Sequence, residues 1–165
     1  MIRKAQANDH ARIVRLYRAV AAVPDGIARA PGEVNDAYVI GFMHRAHADG
    51  IELVLEQDGG IVGEIHASRV GIASLAHLLT DLTIVVCPQV QGTGVGRRLF
   101  QALLDEVTCN MPHITRIELF ARESNVRARA LYASLGFMEE GRLRARVKNA
   151  KGEAETDTIM GWLRP

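Results

Sequence analysis

Cysteine is scarce in this chain, and its placement excludes the common metal and redox motifs. Cys87 and Cys109 are the 2 cysteines among 165 residues, and they form neither a Cys-x-x-Cys pair nor a cluster with histidine. We therefore interpret them as reduced thiols of a cytoplasmic protein. His44 and His47 stand one helical turn apart, but no third ligand accompanies them, so the sequence predicts no metal site.

Long apolar runs and an excess of one charge are missing as well. The 20 lysines and arginines and 19 aspartates and glutamates leave a net charge of +1, which gives no reason to expect nucleic acid or a membrane as partner. No apolar stretch approaches the ~20 residues that cross a bilayer, and no signal peptide is recognisable. Low-complexity tracts and repeats are absent too, so we expect a single domain over residues 1–165.

Hydrophobic periodicity predicts strands and helices in the order β-α-α-β-β-β-α-β-α-β-β. The pattern mixes hairpins with crossovers, which is typical of an α/β (α+β) fold with a mixed sheet. Predicted strands cover residues 2–6, 51–55, 61–65, 78–86, 116–120, 137–147 and 155–163, and predicted helices run from about Asn8, from about Glu33 to Ala48, from about Gly94, and from Asn125 to Leu135.

Apolar and basic residues alternate in the strand predicted over residues 137–147. Successive side chains of a strand point to opposite faces, so one set should face the core and the other set should not. We expect Leu143, Ala145 and Val147 on the core side and Arg142, Arg144 and Arg146 on the other.

A glycine-rich loop joins the fourth predicted strand to the following helix. Residues 91–96 are Gln-Gly-Thr-Gly-Val-Gly, and glycines at a helix N-terminus form a cradle for an anion such as a diphosphate. The loop is not a dinucleotide fingerprint, because Arg97 takes the place of the third glycine, and it is not a Walker A loop, because no Gly-Lys-Ser/Thr follows. From these residues alone, a tight turn without a ligand is the alternative.

Two motifs in register connect this loop with a known family. Val86-x-Pro88-x-x-Gln91-Gly92-x-Gly94-x-Gly96 resembles motif A of the GCN5-related N-acetyltransferase (GNAT) family. Asn125-x-x-Ala128-x-x-Leu131-Tyr132-x-x-x-Gly136-Phe137 is similar to its motif B, at the family's separation. The resemblance covers most of the chain and is weakest over residues 20–50. It implies a mostly antiparallel sheet of about seven strands flanked by about four helices.

The resemblance also implies that acetyl-CoA is the cosubstrate and that no metal is needed. Backbone groups of Ile84 and Val86 would pair with the pantetheine arm as an added strand. Tyr132 would protonate the departing thiolate, with a tyrosine that only packs the core as the alternative. The other residues implied to contact the cofactor are Gln91, Gly92, Gly94, Gly96, Arg97, Asn125 and Ala128.

The base that deprotonates the acceptor amine is harder to assign from the residues. Glu64, Asp81 and Glu118 lie on predicted strands and His77 just before one, and we place Asp81 first as the catalytic base. A chain of water molecules is the alternative. The acceptor pocket should lie between the segment from Val23 to Glu33 and the last strands.

Residues of the C-terminal strands, together with His77, narrow the resemblance to bacterial enzymes that acetylate small amines and amino acids. The predicted acceptor is therefore the primary amine of a small molecule. A protein N-terminal or lysine acetyltransferase and a non-catalytic acyl-CoA-binding sensor are the alternatives, and a homodimer is among the assemblies that the sequence leaves open. The residues that carry this resemblance are His77, Glu140, Gly141, Arg142, Lys148, Asn149, Gly152, Asp157 and Met160.

Overall fold

One seven-stranded sheet forms the centre of the protein, whose computed structural model describes residues 1–165. The spatial order is β1-β2-β3-β4-β5-β7-β6, and every neighbouring pair is antiparallel except β4 and β5. The predicted mixed, mostly antiparallel sheet is confirmed. The strands are β1 (Ile2–Lys4), β2 (Gly50–Gln57), β3 (Gly60–Ser68), β4 (Leu78–Val86), β5 (Arg116–Arg122), β6 (Met138–Lys148) and β7 (Ala154–Leu163).

Four α-helices cover the sheet, as predicted: α1 (His10–Ala21), α2 (Asp36–Asp49), α3 (Val95–Asn110) and α4 (Val126–Ser134). On one face, α1 and α2 pack against Val54 and Val85 in a core cluster of 12 buried residues. On the other face, α3 and α4 contribute to a cluster of 20 buried residues. Strands β2 and β3 are thereby buried on both faces over most of their length, including the polar residues Glu52, Glu64 and His66. None of these helices is both long enough and apolar enough to cross a membrane.

The segment before α2 shows how a capping residue sets a helix boundary. The predicted start at Glu33 is three residues early, because Pro31–Glu33 form a separate 3₁₀ turn. The helix itself begins at Asp36, where the Asn35 side chain accepts a hydrogen bond from the Tyr38 backbone N–H at 2.9 Å. This bond satisfies one of the N–H groups that a helix start leaves free.

The alternation predicted for the sixth strand is wrong. A register shift separates Leu143 from Val147, and Ala145 has a positive φ of 56°, so the strand bulges between them. Because β6 is an edge strand, both of its faces are mostly exposed, and Leu143 retains 37% of its surface. Beside this bulge, the exposed Arg146 side chain lies over β5 and β7. Its guanidinium lies 4.1 Å from the Phe120 ring centroid and donates to Asp157 at 2.5 Å.

The strands β4 and β5 are joined only at one end. Leu78 pairs with Arg116 and Leu79 with Ile117, and the two strands diverge beyond these pairs. From residue 83 to residue 86, β4 remains paired with β3 on its other side only. The backbone of β4 that faces β5 is therefore left as an open edge, and the divergence creates a cleft between the two halves of the sheet.

Candidate active site

The glycine-rich loop of residues 91–96 leads directly into α3. Gly92 and Gly94 have φ angles of 84° and 89°, a region that other residues rarely adopt. Gly94 is also the N-cap of α3, and no side chain caps the helix. The first backbone N–H groups of α3 have no carbonyl partner within the helix, so they are available to an anion.

A cavity of about 360 Å³ extends from this loop along the open edge of β4 to α4. Arg97 and Arg127 line it and no aspartate or glutamate does, so its charge favours an anionic ligand. All the residues predicted to bind the cofactor line this cavity, and so does Tyr132: Ile84, Val86, Gln91, Gly92, Gly94, Gly96, Arg97, Asn125 and Ala128.

Two of these polar residues also have local partners in the protein. The Gln91 amide donates to the Val86 carbonyl at 3.1 Å, which ties the loop back to the end of β4. Arg97 donates to the Ser134 hydroxyl at 2.7 Å, which joins α3 to α4. These bonds connect the loop to β4 and the two helices to each other.

Helix α4 presents Asn125 and Tyr132 to the same cavity. The Asn125 side chain accepts a hydrogen bond from the Ala128 N–H at 3.1 Å, which confirms that it is the N-cap. Tyr132 is 9% exposed, and its ring centroid lies 5.2 Å from that of Phe100. Burial alone raises the pKa of Tyr132 to about 12, with no contribution from a hydrogen bond. The phenol therefore keeps its proton at neutral pH.

A second cavity, of about 450 Å³, adjoins the first on the other side of Tyr132. Its walls come from β4, β5 and the segment 25–28, together with residues of β6 and β7. This position agrees with the predicted acceptor pocket. Four residues line both cavities and mark the junction between them: Gly26, Ile84, Asn125 and Tyr132.

The family model of the acetyltransferase (GNAT) domain matches residues 48–139. The chain belongs to this family. Membership confirms the predicted enzyme class, an acetyl-CoA-dependent N-acetyltransferase.

Solved structures of other acetyltransferases share the fold of this GNAT enzyme. The ribosomal-protein-alanine N-acetyltransferase from Brucella melitensis gives a TM-score of 0.86 at 21% identity, over 99% of both chains. A putative acetyltransferase from Salmonella typhimurium, solved with its cofactor acetyl-CoA, gives 0.80 at 20% identity, over 99% of this chain and 92% of that one. The ribosomal-protein-S18-alanine N-acetyltransferase from Escherichia coli gives 0.77 at 24% identity, with the same coverages.

Of the four candidate bases of the acetyltransferase, Asp81 is the one that lines the second cavity. It has a φ of 54° at a bulge of β4, and its half-exposed carboxylate accepts from Arg45 at 3.0 Å. The other three lie outside this cavity. Glu64 accepts from the Tyr17 hydroxyl at 2.6 Å within the core, Glu118 pairs with Arg116 at 3.5 Å, and His77 is exposed and lines neither cavity.

Two residues that line the first cavity of this GNAT enzyme could not be predicted from the sequence motifs. Gly26 belongs to an irregular connection, and Arg127 occupies an unspecified position of motif B. The histidine pair is apart from both cavities, and His47 lies 2.9 Å from Glu52. No three His, Cys, Asp or Glu side chains come together in an arrangement that could hold a metal ion.

Proposed function

We propose that this GNAT enzyme acetylates the primary amine of a small molecule in a ternary complex with acetyl-CoA. The observation that carries the proposal is a connection at the edge of the second cavity, where Asp25 and Arg122 are lining residues. The Asp25 carboxylate accepts from the Ala150 backbone N–H at 2.9 Å and also pairs with Arg122. It therefore fastens the α1–α2 connection to the β6–β7 turn. A peptide acceptor would need an open groove between these two segments, whereas a small amine fits a cavity of about 450 Å³ beside them.

The first cavity suits the acetyl donor. The open edge of β4 at Ile84 and Val86 can pair with the amide groups of a pantetheine arm. The loop from Gln91 to Gly96 can bind its diphosphate, and the small Ala128 leaves room for the donor beside α4. Acetyl-CoA would supply the acetyl group as an activated thioester at the junction of the two cavities.

We assign two side chains to the proton transfers. Asp81 accepts the proton that the acceptor ammonium must lose before its nitrogen can attack the carbonyl carbon. Tyr132 donates its hydroxyl proton to the sulfur as the C–N bond forms and the C–S bond breaks. A backbone N–H beside the β4 bulge stabilises the charge that develops on the carbonyl oxygen. The nitrogen loses its second proton to solvent as it becomes an amide, the phenol regains a proton from solvent, and Asp81 releases the first one, so that one proton is set free per turnover.

Thiol release by the purified protein tests the proposed acceptor. Acetyl-CoA is combined with a panel of small primary amines and amino acids, and in parallel with peptides that carry a free N-terminal alanine or a lysine. We expect kcat/KM for at least one small amine to exceed that of every peptide. Turnover with peptides alone would overturn the small-molecule assignment. Micromolar binding of acetyl-CoA without turnover of any amine would instead indicate an acyl-CoA sensor.

A further inference from the structure

Arg127 has an unusual position for a cation. It occupies the second residue of α4, an end of the helix where the backbone dipole disfavours positive charge. The two arginines nearest to it in the sequence both form ion pairs. Arg129 pairs with Glu139, and Arg122 pairs with Asp25 and Glu155. Arg127 takes part in none of the ion pairs of the structure, and its side chain lines the first cavity, where no carboxylate is present.

The guanidinium of Arg127 also crosses the cavity to the glycine-rich loop. Its Nη2 lies 3.1 Å from the position that a Cβ on Gly92 would occupy. The side chain thus reaches from α4 to the loop that precedes α3. An anion held between these elements would meet the N–H groups of α3 on one side and a planar, five-donor guanidinium on the other.

We propose that Arg127 binds a phosphate group of acetyl-CoA. This assignment rests on the proposed function and adds a ligand that motif B does not specify. A guanidinium matches a phosphate with two parallel N–H···O bonds, and the anion would offset the unfavourable charge at the start of α4. Coenzyme A offers two such groups, the diphosphate and the 3′-phosphate. The proximity to Gly92 favours the diphosphate, because Gly92 belongs to the diphosphate loop of the proposed function.

Calorimetric titration with coenzyme A, without any acceptor, tests this assignment. We expect Arg127→Ala to raise the Kd about tenfold or more, which is the usual loss for a charge-assisted hydrogen bond. Arg127→Lys keeps the charge without the planar fork and should give an intermediate Kd. Arg15→Ala is the control, since Arg15 is an exposed arginine of α1 that lines neither cavity. Arg127 is itself exposed, so its variants should keep the wild-type melting temperature.

Titration with dephospho-coenzyme A distinguishes the two phosphates. If Arg127 binds the diphosphate, Arg127→Ala weakens both ligands by the same factor. If Arg127→Ala weakens the binding of coenzyme A but not that of dephospho-coenzyme A, Arg127 is still a phosphate ligand but binds the 3′-phosphate. An Arg127→Ala variant that binds coenzyme A as the Arg15→Ala variant does would overturn the assignment. Failure of the wild-type protein to bind coenzyme A would instead refute the proposed function.

Discussion

Asp25 and Ala150 are 125 residues apart in the sequence, yet the Asp25 carboxylate accepts a hydrogen bond from the Ala150 backbone N–H at 2.9 Å. Asp25 has a φ of 58°, a strained value for a residue other than glycine, and its bond to Ala150 and its ion pair with Arg122 stabilise that conformation. The α1–α2 connection is thereby attached to the β6–β7 turn. Asp25 and Arg122 both line the second cavity, so this attachment holds one of its walls in place.

Replacing Asp25 by alanine should release this connection. We expect Asp25→Ala to lower kcat/KM for the preferred small amine by about tenfold, because the acceptor would no longer be held in position. The Kd for acetyl-CoA should change less than twofold. The control is Asp58→Ala, since Asp58 also has a positive φ, of 51°, but lies in the β2–β3 turn. Equal losses in the two variants would contradict the role of the Asp25 contact.

The role of Tyr132 as an acid can be separated from its packing. Its hydroxyl has no hydrogen bond whose loss would destabilise the fold, so Tyr132→Phe should keep the wild-type melting temperature. We expect kcat to fall about 100-fold with an unchanged Kd for acetyl-CoA. Because burial raises the pKa of Tyr132 to about 12, ionisation of this group should not reduce wild-type activity between about pH 7 and about pH 10.

Tyr38 provides the matched control for that experiment. Its ring centroid also packs 5.4 Å from that of a phenylalanine, Phe42, but it lines neither cavity. Tyr38→Phe should therefore keep most of the activity. If Tyr132→Phe also kept its kcat, Tyr132 would be a packing residue and the leaving thiolate would take its proton from another donor.

Gly94 tests whether the loop is a ligand site or only a turn. Gly94 and Gly59 have φ angles of 89° and 78°, and in both cases an added Cβ would meet no atom within 4 Å. An alanine at either position costs about 1 kcal/mol of strain. We expect equal losses of melting temperature, but only Gly94→Ala should weaken acetyl-CoA binding, by about tenfold or more, because its methyl group would occupy ligand space. Equal affinities in the two variants would mean that the loop binds no ligand.

The loop and α4 could be predicted from the sequence because their determinants are local. Gly92 and Gly94 supply the positive φ angles that the turn requires, and Asn125 caps the helix three residues before its bonding partner Ala128. These features depend on residues within one turn of the chain. The same local patterns carry the family resemblance, so the sequence names more residues of the first cavity than of the second.

The acceptor side depends on contacts between distant segments, which a single sequence does not reveal. The β6 bulge at Ala145 interrupts the expected alternation, and Arg146 beside it donates to Asp157. Similarly, Glu64 and Asp81 both lie on central strands. Only the tertiary structure shows that one is enclosed beside Tyr17, whereas the other lines a cavity. The proximity of Arg127 to Gly92 likewise depends on the packing of α4 beside the glycine-rich loop.

Glu52 is a buried carboxyl group that the proposed reaction does not use. It is 3% exposed on β2, and neither side-chain oxygen has a partner with hydrogen-bond geometry, although His47 Nε2 lies 2.9 Å away. Burial, and then the nearby carboxylates of Glu64 and Asp9, raise the pKa of Glu52 from 4.5 to about 9. The folded state therefore retains a proton that the unfolded state releases above pH 4.5.

Because the folded state binds the extra proton, this carboxyl group makes the protein less stable as the pH rises from about 4.5 towards about 9. Glu52→Gln imitates the protonated form and should remove the loss. We expect its melting temperature to exceed that of the wild type by about 2 °C or more at an alkaline pH of about 8, and by less at a pH of about 5. The exposed Glu33→Gln should give no such pH-dependent difference. A Glu52→Gln variant that is less stable than the wild type at both pH values would show that Glu52 is ionised in the fold and stabilised by His47.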